Sequence, residues 1–402
     1  MRRFNYRAKD PKTGKIVKGA IQAETEHEAG KLLVEQGFVP ESVQDDSGGN
    51  SIFDKLTNRI TSKDKVTFSR QFATLIGAGL PLANSLKTVA SQTQNKEMRT
   101  IVEEVLASVE SGKTLAESFE KYPKVFDNVF IALIRAGESS GTLDEALNRV
   151  ANQQEKDAAM LSKIRGAMVY PAIILVVIIA VLAFMMIMVV PEVRGLYEDM
   201  HKELPGLTQF LVGMTDFFGN FWWLVLAILV LAVWGVIQYK RTEGGRRAFD
   251  NMKLHIPLFK DLFLRLYMSR FARTTEMLLA VGVSMLDSIH IGMKAVNNVV
   301  VEEQLEKAAE EVKGGKALSE ALEGKDYILP LVPQMANIGE QSGKIDEMLG
   351  RAATVYETEL DEKIATISTM IEPILMVVMA AVIGVVLGGT LLPIYSLVNS
   401  IG

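Results

Sequence analysis

Three long apolar runs limit what this chain of 402 residues can fold into. They extend over residues 171–190, 221–239 and 373–392, and none of them contains a charged residue. Each is close to the ~20 residues that an α-helix needs to cross a hydrocarbon core. The sequence therefore predicts an all-α integral membrane protein with three transmembrane helices, joined to charged segments of aqueous character.

The distribution of Lys and Arg predicts how these spans are oriented. Residues 240–273, which follow the second span, contain nine Lys or Arg residues, whereas residues 191–220 contain two. Positively charged segments tend to stay in the cytoplasm. Residues 191–220 are therefore expected outside, and the N-terminus, which carries no signal-peptide pattern, is expected in the cytoplasm.

One motif occurs twice and divides the chain into two similar units. The stretch "AGESSGTLDEAL" is echoed by "IGEQSGKIDEML", so that Gly137 and Gly339 are 202 residues apart (339 − 137 = 202). Upstream, Phe68 and Arg70 match Phe271 and Arg273. The prolines that bracket the first and last spans recur at the same offset: Pro171, Pro191, Pro373 and Pro393. Each unit is predicted to be a helical bundle followed by one span, and the middle span returns the chain to the first side.

The repeated motif is predicted to form a corner between two helices. Apolar residues recur at helical spacing on either side of it, and glycines interrupt them. Gly137 and Gly141, like Gly339 and Gly343, allow tight or left-handed backbone. Asp144 would then lie in the first turn of the next helix, where the helix dipole favours anions.

The acidic residues of the corner have two further interpretations. Glu138 and Asp144, with Glu340 and Asp346 in the second unit, are candidate contacts for a partner protein. Carboxylates are also the ligands that hard cations prefer, so a divalent-cation site at Glu138 and Asp144 is an alternative. Two carboxylates six residues apart are a small basis for such a site.

The sequence gives little support for nucleotide binding or for catalysis. Residues 107–114 read "ASVESGKT", which resembles a phosphate-binding loop, but a helical pattern precedes them where a strand is required. The second unit has Ala317 in place of the hydroxyl residue that would hold magnesium. There is no cysteine, and the four histidines are scattered. We therefore expect no catalytic activity, no cofactor and no metal.

The N-terminal region differs from the rest. Residues 4–25 alternate apolar and polar positions, and residues 26–38 have helical spacing, so a small β-hairpin and helix module is predicted. The expected domains are this module (1–44), a linker (45–63), bundle 1 (64–166), transmembrane helix 1 (167–190), an external loop (191–220), transmembrane helix 2 (221–239), bundle 2 (240–371), transmembrane helix 3 (372–395) and an external tail (396–402).

These motifs, with Tyr170 before Pro171 and Glu372 before Pro373 at the span entrances, resemble the type II secretion F protein family over residues 4–393. The resemblance implies a multi-pass platform protein of the bacterial inner membrane without catalysis of its own. It implies binding to a hexameric pilus assembly ATPase, to pilin subunits and to other inner-membrane assembly proteins, and no nucleic-acid partner. The expected function is type IV pilus assembly, with a type II secretion platform as the alternative.

Two further expectations concern the spans. Gly384 and Gly388 have the small-xxx-small spacing that lets membrane helices approach closely, so a homo-oligomer, with a dimer favoured, is expected. A membrane transporter is the alternative from another class. Transport of a polar solute usually needs polar groups within the membrane, and Gln238 and Thr390 are almost alone there.

Overall fold

The N-terminal part of the chain forms a small antiparallel sheet. A computed structural model of the chain describes residues 2–9, 16–23, 30, 32–34, 38–45, 59–199 and 206–398. Strand β1 (Arg2–Lys9) pairs on one side with β2 (Ile16–Ala23) and on the other with β3 (Val39–Asp45). The sequence pattern did not predict β3. The helix expected over residues 26–38 and the linker expected over 45–63 fall mostly outside the described residues.

Six helices build the first bundle. They are α1 (Ser62–Gly77), α2 (Leu82–Gln92), α3 (Lys96–Glu110), α4 (Leu115–Glu120), α5 (Asn128–Ser140) and the first part of α6 (Leu143–Phe184). Polar side chains define several of their starts. Thr61 and Asp64 form a reciprocal capping box at α1, and Asn95 and Asp127 accept backbone N–H groups at α3 and α5.

Aromatic side chains fill the centre of the first bundle. Phe68, Phe72, Phe119, Phe126 and Phe130 are all buried, and the ring centroids of Phe119 and Phe126 are 4.4 Å apart. Such clusters contribute both buried apolar area and favourable edge-to-face contacts. This core holds the short helix α4 against α5, which positions the corner described below.

The chain continues from the first bundle into long apolar helices. After α6 come a π-helical segment, Met185–Val189, then α7 (Val190–Asp199) and α8 (Gly206–Arg241). Helix α8 is kinked at Phe221, whose backbone angles (φ −117°, ψ 18°) are not helical. Residues 191–220, expected as a loop, are therefore helical wherever the structure describes them.

The second bundle repeats the first. It contains α9 (Glu243–His255), α10 (Pro257–Ala280), α11 (Met285–Val296), α12 (Val299–Lys313), α13 (Leu318–Leu322), α14 (Leu331–Ser342) and the first part of α15 (Ile345–Val398). Helices α10 to α15 follow the order and spacing of α1 to α6. The prediction of two similar helical bundles is confirmed.

Bundle and span are continuous helix in both units. Pro171 lies inside α6, and Pro373 and Pro393 lie inside α15. Pro191 is the second residue of α7. A proline costs a helix one hydrogen bond, which neighbouring contacts and local π-helical adjustments can make good. The boundaries expected at residues 167 and 372 are therefore positions within single helices.

Within the described residues, three helices are long and apolar enough to cross a membrane. They are Leu143–Asp199, Thr208–Arg241 and Ile345–Gly389, with lengths of 57, 34 and 45 residues. The prediction of three long apolar helices is confirmed. Their apolar side chains are mostly exposed, as expected where lipid rather than protein surrounds a helix.

Candidate functional site

The repeated motif forms a tight corner in each bundle. Gly141, which has a left-handed backbone (φ 77°), caps the C-terminus of α5, and Gly343 (φ 69°) caps that of α14. A Cβ atom on Gly137 would lie 2.6 Å from Cβ of Ala146. A Cβ atom on Gly339 would lie 2.6 Å from Cα of Ile345. Each motif therefore uses one glycine for backbone conformation and another for close approach of the next helix.

The glutamate of each corner binds the start of a neighbouring short helix. The Glu138 carboxylate accepts hydrogen bonds from the backbone N–H groups of Leu115 (2.8 Å) and Ala116 (3.2 Å), at the start of α4. Glu340 accepts bonds from the backbone N–H (3.3 Å) and the hydroxyl of Ser319 in α13. An anion at a helix start satisfies donors that have no partner within the helix.

This geometry changes how the acidic contact candidates are interpreted. Glu138 and Glu340 are half-buried and engaged inside their own bundles, and Asp346 is half-buried. Asp144 is exposed. Both aspartates lie in the first turn of a long helix, α6 or α15. A docking role for the four acids stays a prediction, and Asp144 is the member whose side chain is open to a partner.

The described residues assemble neither the divalent-cation site nor the phosphate-binding loop that were considered above. Among the described residues, no group of three or more His, Asp or Glu side chains is placed to hold a metal ion. Residues 107–114 are the end of α3 and the turn into α4. The Thr114 hydroxyl accepts a hydrogen bond from the backbone N–H of Glu117, so it acts as the helix cap.

A repeated Arg–Glu pair joins α1 to α6 in the first bundle and α10 to α15 in the second. Arg70 binds the Glu155 carboxylate through Nε (2.6 Å) and Nη2 (2.5 Å). Arg273 binds Glu357 in the same bidentate way, at 2.9 and 3.1 Å. The hydrogen bonds from Arg70 hold the pKa of Glu155 below its usual value. Bidentate pairs of this kind fix orientation as well as distance.

Sequence reasoning matched Arg70 with Arg273 but missed their partners. The glutamates lie 85 and 84 positions further along the chain, where no local pattern marks them. The available signal was the repeat itself, because Glu155 and Glu357 occupy equivalent positions in the two units. Acidic residues that match across a repeat and follow matched arginines are candidates for such pairs.

Three cations on α6, which we call the cationic stripe, face the second unit: Arg149, Lys156 and Lys163. They are spaced by seven residues and therefore share one helix face. Their partners are Glu276 (2.9 Å), Glu357 (3.0 Å) and Asp361 (2.6 Å). Burial alone would raise the pKa of Glu357, but hydrogen bonds from Arg273 and Lys156 lower it overall.

The two bundles also share apolar contacts. Met277 and Leu278 of α10, with Val281 directly after it, belong to the core of the first bundle. Beside them lies a cavity of about 390 Å³ that residues of both units line. Burial raises the pKa of Asp157 in its wall, which a nearby Arg270 only partly offsets. Charge pairs and shared core together join the two units into one body.

The two units and the N-terminal region each match a known protein family in sequence. Residues 68–191 and 271–393 each match the family described as type II secretion system (T2SS), protein F. Residues 1–44 match the type II secretion system protein F, N-terminal domain. The chain belongs to the type II secretion system protein F family. The predicted resemblance is confirmed, and both matched segments contain a corner and an Arg–Glu pair.

Relatives in this family carry two kinds of name. The chain is 33% identical to a type IV pilus assembly protein PilC of Thermus thermophilus, over 99% of this chain and 98% of the relative. A PilC of Pseudomonas aeruginosa is 34% identical over 86% of this chain and 92% of the relative. A type II secretion system protein F of Vibrio cholerae is 32% identical over 99% of both chains.

Proposed function

We propose that the chain is the inner-membrane platform of a type IV pilus assembly machine. In this role it couples a cytoplasmic assembly ATPase to the insertion of pilin subunits into a filament. The similarity over nearly the full length to a pilus assembly protein, at 33% identity, carries the proposal. Relatives of the secretion system are almost as similar, so a type II secretion platform is the second candidate.

The proposed topology places both bundles and the N-terminus in the cytoplasm. The ion pairs of the cationic stripe support it, because Lys156 contacts Glu357 and, further along both helices, Lys163 contacts Asp361. Helices α6 and α15 therefore run in parallel and lead from the same side. The Lys and Arg content after the second span supports the cytoplasmic side for the bundles.

The proposed mechanism is mechanical and needs no catalytic group. Helix α6 has 42 residues and α15 has 54, so each carries a bundle and an apolar span on one continuous helix. At 1.5 Å per residue such helices are about 60–80 Å long. A displacement that an ATPase imposes on the bundles would pass along them to the segments that face pilin subunits in the membrane.

Two contact surfaces belong to this proposal. The exposed Asp144 and its counterpart Asp346 are the candidate docking residues for the ATPase. Gly384 is the candidate contact for a second copy, because a Cβ atom there would meet nothing within 4 Å in this chain. Small residues at such an open position let a second helix approach closely.

Deletion of the gene in its source bacterium tests the function. Loss of surface pili with unchanged protein secretion would support the pilus platform, and the opposite result would support the secretion platform. Loss of neither, with altered uptake of a solute, would favour the transporter. Complementation with the intact gene is the control.

Single cysteines introduced into this cysteine-free chain test the topology. Lys307→Cys and Glu192→Cys both alter exposed positions, at opposite ends of the proposed spans. An impermeant maleimide applied from outside is expected to label the variant at Glu192 and not the variant at Lys307. Labelling at Lys307 would contradict the proposed orientation.

A further inference from the structure

The first part of α8, residues 206–220, is an amphipathic helix with three distinct faces. Thr208, Leu211 and Thr215 lie on one face; the Thr208 hydroxyl donates a hydrogen bond to the carbonyl of Gly389 (3.3 Å), and Leu211 is buried against that glycine. Spacings of three and four residues place these three side chains together. This face is the one that packs on the end of α15.

A second face carries large aromatic side chains that contact little of the protein. Phe210 is 63% exposed and Phe217 is 48% exposed, and they are seven residues apart on the same side of the helix. Phe218 beside them is 40% exposed. A free-standing aromatic patch of this kind marks a contact with lipid or with a partner.

Polar residues form the third edge of this helix. Gln209, Asp216 and Asn220 are exposed and also lie on one side. The charge of Asp216 is paired with Arg194 of α7 at 3.2 Å. Between Gly206 and Tyr239 the sequence contains no other charged residue.

The length of α8 shows that this segment lies outside the hydrocarbon core. The helix has 36 residues, which corresponds to about 54 Å, whereas a bilayer core is about 30 Å thick. Residues 222–239 alone account for about 27 Å of that core. The kink at Phe221 separates the two parts.

The contact with Gly389 sets the depth of the segment. Gly389 lies within the apolar run 373–392, three residues before its end, so its level is the edge of the hydrocarbon core. Leu211 packs at that level. The aromatic face of residues 206–220 is therefore beside the headgroups, at the membrane surface opposite the bundles.

We infer that residues 206–220 form an interfacial helix that inserts Phe210 and Phe217 into the lipid surface opposite the bundles. The ring of Phe217 contacts that of Phe221 at the kink (centroids 5.6 Å apart), and the next two residues, Trp222 and Trp223, are 63% and 56% exposed. Tryptophan is enriched at this level of membranes, and amphipathic helices bind there through buried apolar side chains. A segment that sequence patterning assigned to an external loop is thus a membrane anchor, whichever assembly machine the chain serves.

The anchor gives α8 a fixed position in the membrane. Residues 222–239 pack little against the other spans in this chain, so their position depends on contacts at their ends. The interfacial helix holds one end at the lipid surface and, through Gly389, holds the end of α15 beside it. If the bundles displace α15, it would then move relative to a helix that the lipid surface holds in place.

Site-directed spin labelling of the full chain tests this inference. Phe210→Cys and Phe217→Cys probe the aromatic face, and Gln209→Cys and Asn220→Cys are matched controls on the polar edge. The purified protein is reconstituted in vesicles of phosphatidylethanolamine and phosphatidylglycerol. Collision of each nitroxide with oxygen, which partitions into lipid, is compared with collision with a water-soluble nickel complex.

The expected result is that labels on the aromatic face collide more often with oxygen and that labels on the polar edge collide more often with nickel. Equal nickel access at all four positions would overturn the inference, because the face would then be in water. Protection from both reagents would also overturn it, because a second copy would then cover the face. If nickel reaches the aromatic face in vesicles but not in native membranes, the inference is also overturned, because a partner protein rather than lipid would then cover the face. A normal gel-filtration profile of each labelled variant shows that it is folded.

Discussion

Glu138 and Glu340 were candidate contacts for a partner protein, but in the structure they form hydrogen bonds within their own bundles. Each carboxylate reaches from one helix to the start of a short neighbouring helix, α4 or α13. The two corners share this contact although the segments between the short helix and the corner differ in sequence. The contact therefore accounts for the repeated Gly-Glu pair without any partner.

Removal of this carboxylate is expected to destabilise the first bundle. Glu138→Ala leaves the N–H groups of Leu115 and Ala116 without their acceptor, at a cost of about 1–3 kcal/mol. Glu138→Gln keeps one acceptor oxygen and should cost less. The apparent melting temperature of the purified full chain measures the effect, with Asp144→Asn as the exposed control. Equal melting temperatures for Glu138→Ala and Asp144→Asn would show that the contact contributes nothing to stability.

Charge reversal at the aspartates tests docking, with the melting temperature of each variant as the control for folding. Asp144→Lys and Asp346→Lys change the first turns of α6 and α15 but leave the glutamate contacts in place. Lost charge complementarity at an interface should weaken binding of the full chain to the assembly ATPase, mainly through slower association at low salt. Surface plasmon resonance with the purified ATPase measures both rates. Unchanged binding by both variants would move the docking surface elsewhere on the bundles.

At the scale of elements, the sequence predicted the existence of the helices better than it predicted where they end or continue. Charge-free runs of sufficient length identified the spans, and glycine spacing identified corners that the structure builds at Gly141 and Gly343. The continuity of α6 through Pro171 was not predictable, because proline marks helix ends and tolerated kinks alike. Residues 206–220 were assigned to a loop because their apolar residues are too few to span, although they suffice for an interfacial helix.

The interactions that join elements were the least predictable part. Arg70 and Glu155 are brought together by packing of α1 on α6, and nothing in the intervening residues specifies that contact. The same holds for the cationic stripe, whose partners belong to the other unit. A seven-residue spacing of cations is visible in the sequence, but exposed helix faces carry charge with similar spacing for solubility alone.

The Arg–Glu pairs should make stability depend on pH in the acidic range. The pKa of Glu155 is lowered in the fold from its usual 4.5, so its stabilising contribution is present above that value and is lost as pH falls through the lowered pKa. Arg70→Gln and Arg273→Gln should therefore reduce stability near neutral pH and flatten the decline below about pH 4.5. Apparent melting temperatures from about pH 7 to pH 3 test this.

A more exposed ion pair supplies the control for that experiment. Arg135 and Glu120 form a single contact of 2.8 Å, and both side chains are 57% exposed. Pairs of this kind contribute little, so Arg135→Gln should leave the pH profile of the full chain almost unchanged. An identical acid dependence in the intact chain and in Arg70→Gln would contradict a stabilising role for the half-buried Arg70–Glu155 pair.

At the scale of the whole molecule, the two bundles are joined by a shared apolar core and by ion pairs. The first bundle includes side chains of α10 in its core, and the cationic stripe holds α6 against the second unit. The two bundles are not equivalent, since Phe119 and Phe126 in the first have no aromatic counterparts in the second. A partner can therefore act on one bundle and move both.

If the units must move together, then opening the interface between them should abolish filament assembly while membrane insertion persists. Replacement of all three residues of the cationic stripe by Glu places like charges opposite Glu276, Glu357 and Asp361. Both side chains are exposed only in the Lys163–Asp361 pair, and such a pair contributes only about 0.2–1 kcal/mol, so all three cations are changed together. Three exposed lysines of the first bundle, Lys87, Lys96 and Lys113, changed together to Glu, are the control for altered net charge.

Hydrogen exchange of the purified full chain reports on the interface, because residues 277–281 pack into the core of the first bundle and should exchange faster when that packing opens. The stripe variant should exchange faster there and assemble few filaments in cells, whereas the control should exchange as the intact chain does. Faster exchange with normal assembly would show that the bundles work without moving as one body. Unchanged exchange would show that the shared apolar core around Met277 and Leu278, rather than charge, holds the two units together.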